Sequence, residues 1–303
     1  MFFWLIVFFL SSLGVIGGGI ALERVTEEWA ERKGVTKEWA GFLILSIVTS
    51  SPELGVAISG ALKGYSDMIV GNILGGNLFN IAVFSFFSFM WYDLFSCINR
   101  KVFIELISWS IAFTVVMIFA LNFKLNLFWI FLVYPLIAFR IFERSDESKT
   151  LEERANERDF AIYFILSILV VFISSYFLIV AGGWLSRITS ISDTFIGTLF
   201  IALVTSAPEL STSLAAILRK AHGLCLGNIL GSNVLNFFIL PIADLFFKGS
   251  MVSFSSNMHM FTVLSLLCVS LILVISTLFS VRYLRLLPVS IYLITIFILG
   301  KGV

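Results

Sequence analysis

Two short stretches of this chain, VTSSPEL and VTSAPEL, place hydroxyl and carboxyl side chains inside long apolar segments. Thr49 and Glu53 are four residues apart in the first stretch, and Thr205 and Glu209 are four apart in the second, so each pair shares one face of a helix. Oxygen donors of this kind suit hard cations such as sodium, calcium and magnesium rather than soft metals. The two stretches therefore predict an oxygen-lined cation site.

Each stretch also carries a proline, Pro52 or Pro208, directly before its glutamate. Proline has no N–H to donate and clashes with the carbonyl four residues earlier, so it breaks or bends a helix. Freed carbonyls at mid-membrane are tolerated only where protein buries them or where they line a watery cavity. The carbonyls expected to be freed lie near Ser46 and Val48 in the first stretch and near Ala202 and Val204 in the second.

The composition identifies the solvent that surrounds these segments. Of the 303 residues, 59% are hydrophobic and 13% are charged, and the mean hydropathy is +1.03. Soluble domains are about 45–50% apolar and about 25% charged. No water-soluble core could bury this much apolar side chain, so we expect an all-α integral membrane protein in contact with the lipid bilayer. The net charge of +1 gives no reason to expect a nucleic-acid partner.

Helices of about 20 apolar residues are long enough to span a bilayer. Charged or turn-rich breaks delimit ten candidate spans: 1–22, 39–62, 67–92, 102–121, 125–142, 160–185, 193–218, 223–247, 258–280 and 283–301. The N-terminal stretch lacks a charged leader and is long for a signal peptide, so we expect it to be a retained first span. The charged run at 23–38 is expected to form a short interfacial helix.

The two halves of the chain repeat each other. At a constant offset of 156, residues 46–80 match residues 202–236 at 14 of 35 positions without a gap. We therefore divide the chain into a first five-helix repeat at 1–142, a polar linker at 143–159 and a second five-helix repeat at 160–303. Because each repeat has an odd number of spans, the two must be inverted relative to each other in the membrane.

The basic residues predict the orientation of the chain. Fifteen of the 20 Lys and Arg residues lie in loops on the same side as the 143–159 linker, and five lie on the other side. Basic loops remain on the cytoplasmic side of a membrane. We therefore expect a multi-pass plasma-membrane protein with a cytoplasmic linker and both termini outside the cell.

A polar stripe follows each of the two motifs. The first consists of Asn72, Gly76 and Asn80, and the second of Asn228, Ser232 and Asn236, each spaced by four residues. Neighbouring glycines form small-xxx-small patterns that let helix backbones approach closely. Hydrogen bonding between helices explains Asn72 and Asn228 as well as ion binding does. Asn80 and Asn236 fall nearer mid-membrane, where ion binding is the favoured interpretation.

Other kinds of site have little support in the sequence. The three cysteines and two histidines are too scattered for a disulfide framework or a thiolate or imidazole metal site. An enzyme is the least favoured class, because no His or Lys at a span centre could serve as a base. No cofactor and no protein partner are predicted. The candidate spans carry Lys and Arg only near their ends, so none is expected to neutralise Glu53 or Glu209, which favours transported cations as their partners.

The segments TSSPEL followed by GNILGGNLFN, and TSAPEL followed by GNILGSNVLN, resemble the two alpha-repeats of the sodium/calcium exchanger family, within the cation/calcium antiporter superfamily. The resemblance covers both repeats, and the chain length fits a small prokaryotic member. It implies a secondary active antiporter that exchanges sodium for calcium electrogenically. It also implies four ion sites between the second, third, seventh and eighth helices, with the first and sixth helices sliding across this core.

The resemblance assigns roles to individual residues. Glu53 and Glu209 would be the central calcium ligands, shared with sodium. Further oxygens would come from the side chains of Thr49, Ser50, Thr205, Ser206, Ser232, Asn80 and Asn236 and from the backbone carbonyls of Ser46 and Ala202.

The sequence departs from the family pattern in both repeats. Val48 and Val204 stand where glycine is usual, Gly76 stands where a serine is expected, and Asn236 stands where some relatives have aspartate. The alternative function is a proton/calcium antiporter in which Glu53 and Glu209 carry the protons. Proton-coupled relatives tend to have GN-xx-E in place of TS-x-PE, so the retained hydroxyls favour sodium. A passive channel is less favoured, because inverted repeats with broken helices indicate alternating access.

The predicted orientation can be tested by labelling a single cysteine. In a background without Cys97, Cys225 and Cys268, the Ser148→Cys variant is expected to resist an impermeant thiol reagent applied to intact cells, because the positive-inside rule places the linker in the cytoplasm. Labelling should appear after the membrane is permeabilised. Equal labelling before and after permeabilisation would contradict the orientation.

Overall fold

The structure is a computed structural model that describes residues 1–32, 46–91, 100–125, 127 and 157–301 of the chain. Within these ranges the regular elements are helical and there is no strand. The helices are α1 (Phe2–Arg32), α2 (Ser46–Thr49), α3 (Ser51–Lys63), α4 (Ser66–Met90), α5 (Arg100–Phe123), α6 (Glu157–Thr189), α7 (Asp193–Thr205), α8 (Ala207–Leu218), α9 (His222–Phe246), α10 (Met251–Phe254), α11 (Met258–Leu278) and α12 (Leu287–Gly300), with the 3-10 helix Arg282–Leu286 leading into α12.

The helix lengths agree with a membrane-spanning fold. In the described ranges, seven helices are long and apolar enough to cross a membrane, or eight if α7 and α8 count as one bent span. The predicted span 125–142 and most of the 143–159 linker lie outside the described residues, and the span 39–62 is described only from Ser46 onward. The all-α membrane class is therefore confirmed, and the count of ten spans stays a prediction.

The first helix is longer than predicted. Helix α1 continues without a break through the first ten residues of the charged run at 23–38 and ends at Arg32. The prediction of a separate interfacial helix is therefore wrong for residues 23–32. The reason is local, because ERVTEEWAER contains no Gly or Pro and is rich in good helix formers. Residues 33–38 lie outside the described ranges.

Both motif segments are broken helices, as their prolines predict. The first breaks at Ser50, between α2 and α3, and the second breaks at Ser206, where α7 and α8 meet at a bend of 43°. Pro52 and Pro208 each lie in the first turn after the break. Proline is well tolerated there, because the first backbone N–H groups of a helix have no partner within the helix. Each break therefore begins a new helix at the motif.

Helices α4 and α9 form the centre of the described bundle. In their apolar windows 72% of the residues are buried, against 33% for α1 and α6. The outer pair exposes large apolar side chains such as Phe2, Phe9 and Ile173, as expected of a surface that faces lipid. The asparagine stripes therefore lie in the interior, on the two most buried helices.

Helices α1 and α6 pack along each other and touch the broken helices through small residues. A Cβ atom added at Gly19 would meet the ring of Pro208, and the hydroxyl of Ser175 donates to the carbonyl of Pro52 at 3.4 Å. Gly19 and Ser175 are related by the offset of 156, as are Pro52 and Pro208. The outer pair therefore makes equivalent contacts with the two halves of the centre.

Glycines on α4 let α7 approach closely, as the small-xxx-small pattern predicts. A Cβ atom added at Gly71 would lie 2.9 Å from the Thr194 carbonyl oxygen, and one added at Gly75 would lie 2.7 Å from the Cα atom of Thr198 and would also meet its carbonyl oxygen. These neighbours are backbone atoms, which cannot move aside as a flexible side chain can. The glycines thus fix the position of α7 relative to the asparagine stripe on α4.

Substituting Gly75 with alanine is expected to destabilise the protein. The added methyl group would overlap the Thr198 backbone, and overpacking of this kind costs about 1–3 kcal/mol. The Gly75→Ala variant should show a clearly lower thermal unfolding midpoint in detergent. Gly17→Ala is the matched control, because no atom lies within 4 Å of the position its Cβ would occupy. Equal midpoints for the two variants would contradict the assigned close approach.

Candidate ion-binding site

The two motif glutamates lie in the interior, each directly after a helix break. Glu53 is in the first turn of α3 and Glu209 in the first turn of α8, and both side chains are 0% exposed. The serine at each break has nearly the same backbone conformation, with φ −80° and ψ 4° at Ser50 and φ −83° and ψ 4° at Ser206. The sequence repeat is therefore also a repeat of local structure, and it places a carboxylate at the same point in each half.

Each carboxylate lies beside hydroxyl groups that come mainly from the other half of the chain. Glu53 lies beside Thr205 and Ser206, and the hydroxyl of Ser206 donates to Glu53 Oε1 at 3.4 Å. Glu209 lies beside Thr49 and Ser232 and also within electrostatic range of Glu53. The two glutamates and their hydroxyl neighbours therefore form one cluster at the interface between the repeats.

Five oxygens of the repeated motifs are buried and have no hydrogen-bond partner, and three of them belong to the two glutamates. They are Ser50 Oγ, Glu53 Oε2, Glu209 Oε1, Glu209 Oε2 and Asn236 Oδ1. A buried polar atom without a partner costs about 1–3 kcal/mol, and more if it is charged. A bound cation would satisfy the three carboxylate oxygens among them.

Neutral oxygens dominate the surroundings of the two carboxylates. Among the described residues, no basic side chain pairs with Glu53 or Glu209, and no group of three or more His, Cys, Asp or Glu residues is placed to hold a metal ion. A cation bound here would have two carboxylates and otherwise hydroxyl, amide and backbone oxygens. That donor set fits sodium or calcium and excludes the thiolate and imidazole sites of softer metals.

The backbone carbonyls at the breaks differ in part from the sequence-based expectation. The carbonyls of Ser46 and Ala202 are not freed, since they accept the backbone N–H groups of Ser50 and Ser206 at 3.0 and 2.9 Å. The helical bond that proline removes is the one to the carbonyl four residues earlier, at Val48 for Pro52. Each carbonyl oxygen also accepts from a motif threonine, since the hydroxyl of Thr49 lies 3.5 Å from the carbonyl of Ser46 and that of Thr205 lies 3.4 Å from the carbonyl of Ala202.

Asn72 and Asn228 bond across the interface to the motif threonines. The hydroxyl of Thr205 donates to Asn72 Oδ1 at 3.0 Å, and the hydroxyl of Thr49 donates to Asn228 Oδ1 at 3.1 Å. Asn228 also donates to the carbonyl of Glu209 at 3.2 Å. The oxygens of both asparagines thus already have donors. The geometry favours the interhelical interpretation for these two residues.

Asn80 and Asn236 are held differently. Asn80 Nδ2 donates to Asn233 Oδ1 and Asn236 Nδ2 donates to Asn77 Oδ1, each at 3.0 Å. These bonds occupy the donor end of each amide, and Asn236 Oδ1 is buried without a partner. The available oxygen of Asn236 makes it a candidate ligand, in line with its predicted role.

The two halves are not equivalent in their hydroxyl groups. Ser232 Oγ lies 3.2 Å from the hydroxyl of Thr49, whereas Gly76, its equivalent by the offset of 156, offers Thr205 no such group. Likewise Ser213 Oγ accepts from Asn228 Nδ2 at 3.1 Å, whereas Ala57 occupies the equivalent position. Asn72 Nδ2 accordingly has no partner. The second repeat therefore carries two hydroxyl groups that the first repeat lacks.

Sequence reasoning did not assign roles to Asn77, Asn233 and Ser213. Asn77 and Asn233 recur at the offset of 156, and that recurrence was the signal by which they could have been found. Ser213 has no counterpart in the first repeat, and its four-residue spacing from Glu209 is the only pattern that could have pointed to it.

A family model and a curated relative match most of the chain. The sequence model of a family described as sodium/calcium exchanger protein matches residues 3–142 and 160–300. A curated relative, the sodium/calcium exchanger MaX1 of Methanosarcina acetivorans, is 24% identical. The alignment with it covers 89% of this chain and 90% of that protein.

Two solved structures share the fold over nearly the whole chain. A structure of the sodium-calcium exchanger NCX_Mj has a TM-score of 0.64 at 22% identity and covers 98% of this chain and 99% of its own. A structure of the H+/Ca2+ exchanger CAX has a TM-score of 0.73 at 15% identity and covers 98% of this chain and 88% of its own. At these identities the likeness concerns the fold and does not distinguish one coupling ion from another.

Proposed function

Because the chain belongs to the sodium/calcium exchanger protein family, we propose that it is a secondary active antiporter that exchanges sodium for calcium by alternating access. The observation that carries the proposal is that three of the four carboxylate oxygens of Glu53 and Glu209 are buried without a hydrogen-bond partner. Intramembrane carboxylates without a basic partner are functional sites by default, and here a transported cation is the missing partner.

The proposed ligand set follows the geometry of this cluster. Glu53 and Glu209 supply the two negative charges, and the hydroxyls beside them come from Thr49, Ser50, Thr205, Ser206 and Ser232. Asn80 and Asn236 supply amide oxygens, and Ser46 and Ala202 supply backbone carbonyl oxygens. Calcium takes six to eight oxygen ligands, a number that this set can provide.

The charge of the cluster supports electrogenic exchange. Two carboxylates balance one calcium ion and leave the loaded centre near neutral. If more than two sodium ions replace each calcium ion, the centre gains positive charge, and the membrane potential then acts on its movement. The close contact of α1 with the broken helices at Gly19 suits a helix that slides across the centre.

We also propose the orientation and division of the chain that the sequence predicts. The repeats 1–142 and 160–303 would be inverted in the plasma membrane, with a cytoplasmic linker at 143–159 and external termini. The fifteen-to-five distribution of basic residues is the support for this orientation.

A proton/calcium antiporter is the second candidate function. The fold likeness to the H+/Ca2+ exchanger CAX favours it, since carboxylates such as Glu53 and Glu209 could carry protons in place of sodium. The hydroxyl groups beside both carboxylates favour sodium instead, because sodium needs several oxygen ligands and a proton needs one.

Calcium uptake by purified protein in vesicles tests the two candidates directly. With the pH clamped and the membrane potential set by an ionophore, an outward sodium gradient should drive calcium uptake, because sodium must bind as calcium leaves the site. A pH gradient without sodium should drive little uptake. Uptake that ignores sodium and follows the pH gradient would overturn the sodium proposal and support proton coupling.

Neutralising either carboxylate is expected to abolish calcium exchange. Glu53→Gln and Glu209→Gln keep the size of the side chain but remove one of the two negative charges, and leaving one charge uncompensated in a buried site costs about 3–5 kcal/mol. Calcium uptake should fall to the level of protein-free vesicles. Glu28→Gln is the control, because Glu28 is an exposed residue in the last turns of α1. Near-normal calcium flux in either motif variant would contradict the site assignment.

Because Ser232 has a hydroxyl and Gly76 does not, exchanging the residue types at these two positions should have opposite effects on the sodium dependence of exchange. Ser232→Gly should weaken the sodium dependence of exchange sharply, because it removes the oxygen beside Thr49. Gly76→Ser should leave calcium binding intact and lower the sodium concentration needed. Its Cβ would lie 3.1 Å from Ser206 Oγ, a hydroxyl that can rotate away. The measurement is the sodium concentration for half-maximal exchange, and a higher value for Gly76→Ser would contradict the assignment.

A further inference from the structure

Four buried asparagines form a hydrogen-bonded group at the contact between α4 and α9. We propose that two of them, Asn77 and Asn233, are positioning residues that turn the side-chain oxygens of Asn236 and Asn80 toward the bound ion. The inference rests on the proposed function, since it concerns the same ion site. It assigns roles to two residues that the family motif does not place among the ligands of this chain.

The first step is the reciprocal contact between the two residues. Asn77 Nδ2 donates to the carbonyl of Asn233 at 3.1 Å, and Asn233 Nδ2 donates to the carbonyl of Asn77 at 3.0 Å. Both side chains are 0% exposed. Each amide group is therefore fixed in one orientation by a backbone acceptor on the opposite helix, and its Oδ1 must point away from that acceptor.

The second step is what these fixed oxygens do. Asn77 Oδ1 accepts from Asn236 Nδ2 and Asn233 Oδ1 accepts from Asn80 Nδ2, both at 3.0 Å. The same bond pattern thus occurs twice, related by the offset of 156. Each bond holds the donor end of an outer asparagine, so that its acceptor end must face the other way.

The third step concerns the ion. Asn236 Oδ1 is buried and has no hydrogen-bond partner. The same is true of three of the four carboxylate oxygens of Glu53 and Glu209. An amide presents either an oxygen or an NH₂ group, and an NH₂ group turned toward a cation would repel it. Groups that orient a metal ligand by hydrogen bonds are worth about 10–100-fold in metal affinity. Asn77 would therefore contribute to ion binding without touching the ion.

A substitution at the ligand position separates orientation from packing. Aspartate has oxygens at both ends of its side-chain head, so it needs no partner to present one. Asn77→Ala alone is expected to weaken calcium binding about 10–100-fold, because Asn236 is no longer held. In a protein that already carries Asn236→Asp, the same Asn77→Ala change should cost at most about threefold, since the two effects are coupled.

The second half of the chain supplies the matched and the crossed controls. Asn80→Asp should suppress the defect of Asn233→Ala, because Asn233 holds Asn80. The crossed combinations, Asn77→Ala with Asn80→Asp and Asn233→Ala with Asn236→Asp, should show no such rescue. A purely structural role for Asn77 and Asn233 predicts equal losses in every background.

Calcium affinity is to be measured by titrating calcium into the purified protein in sodium-free detergent solution. The thermal unfolding midpoint of each variant is to be measured in the absence of calcium and sodium, to show that the variant is folded. Additive losses in the matched pairs, or rescue in the crossed pairs, would overturn the proposal. If an alanine variant does not fold, Asn77→Asp replaces it. That change keeps an acceptor for Asn236, although it replaces the donor to the carbonyl of Asn233 with an oxygen and adds a negative charge. Because Asn236 is still held and the added charge attracts a cation, calcium binding should persist. Loss of binding in folded Asn77→Asp protein would also overturn the proposal.

The outcome is distinguishable from a failure of the proposed function. If wild-type protein neither binds calcium nor exchanges it for sodium, the function itself is wrong. If wild-type protein binds and exchanges calcium but the matched pairs are additive, the function stands and only the positioning role is wrong.

Discussion

The described fold depends on one constraint, which is that polar groups buried in a bilayer must find partners inside the protein. Most of this chain meets the constraint with helical backbone bonds and with side chains that bond to carbonyls of their own helix, as Thr114 and Ser270 do. Glu53 and Glu209 do not meet it, because they are fully buried and three of their four oxygens are unpartnered. Natural proteins retain buried, unpartnered carboxylates where a ligand supplies the missing partner. The functional interpretation of this fold therefore depends on Glu53 and Glu209.

The duplication explains how the cluster is built from a simple motif. One copy of the motif supplies a carboxylate, a threonine, a serine and a helix break, which are too few oxygens to surround a cation. A second copy brings Thr205 and Ser206 to Glu53, and Thr49 to Glu209. The Asn77 and Asn233 bonds lie at the contact between the copies and each has a symmetric counterpart. Once the copies are joined in one chain they can diverge, as Gly76 and Ser232 have done.

The sequence predicted the parts of this arrangement that follow from local chemistry. Apolar length indicated a membrane-spanning fold, and Pro52 and Pro208 predicted the helix breaks. The expectation that Thr49 and Glu53 share one helix face is wrong, because the helix breaks between them at Ser50 and Thr49 lies beside Glu209. It could not show which atoms meet across the interface, because those contacts join residues about 150–180 positions apart, such as Thr49 with Asn228. The carbonyl of Ser46 shows a related limit. Proline removes one particular hydrogen bond, and whether neighbouring carbonyls keep theirs depends on how the chain re-enters a helix.

Charge at the centre also bears on why such a protein would exchange ions rather than conduct them. The asparagines around the cluster are neutral, so the two glutamates set its charge, and an empty centre holds two uncompensated charges in a low-dielectric environment. Closing the empty centre off from water is unfavourable, because the two carboxylates repel each other and lose their hydration. The free-energy cost is several kcal/mol per buried ion. A centre loaded with calcium is near neutral, and in one loaded with sodium ions both negative charges are offset, with a net positive charge if more than two sodium ions bind. Only loaded forms can then become occluded between the two sides, and each must release its ions to water and bind others before it returns. In the proposed exchanger, obligatory coupling would thus follow from the placement of two carboxylates without a basic partner, and it would require no separate gate that recognises the second ion.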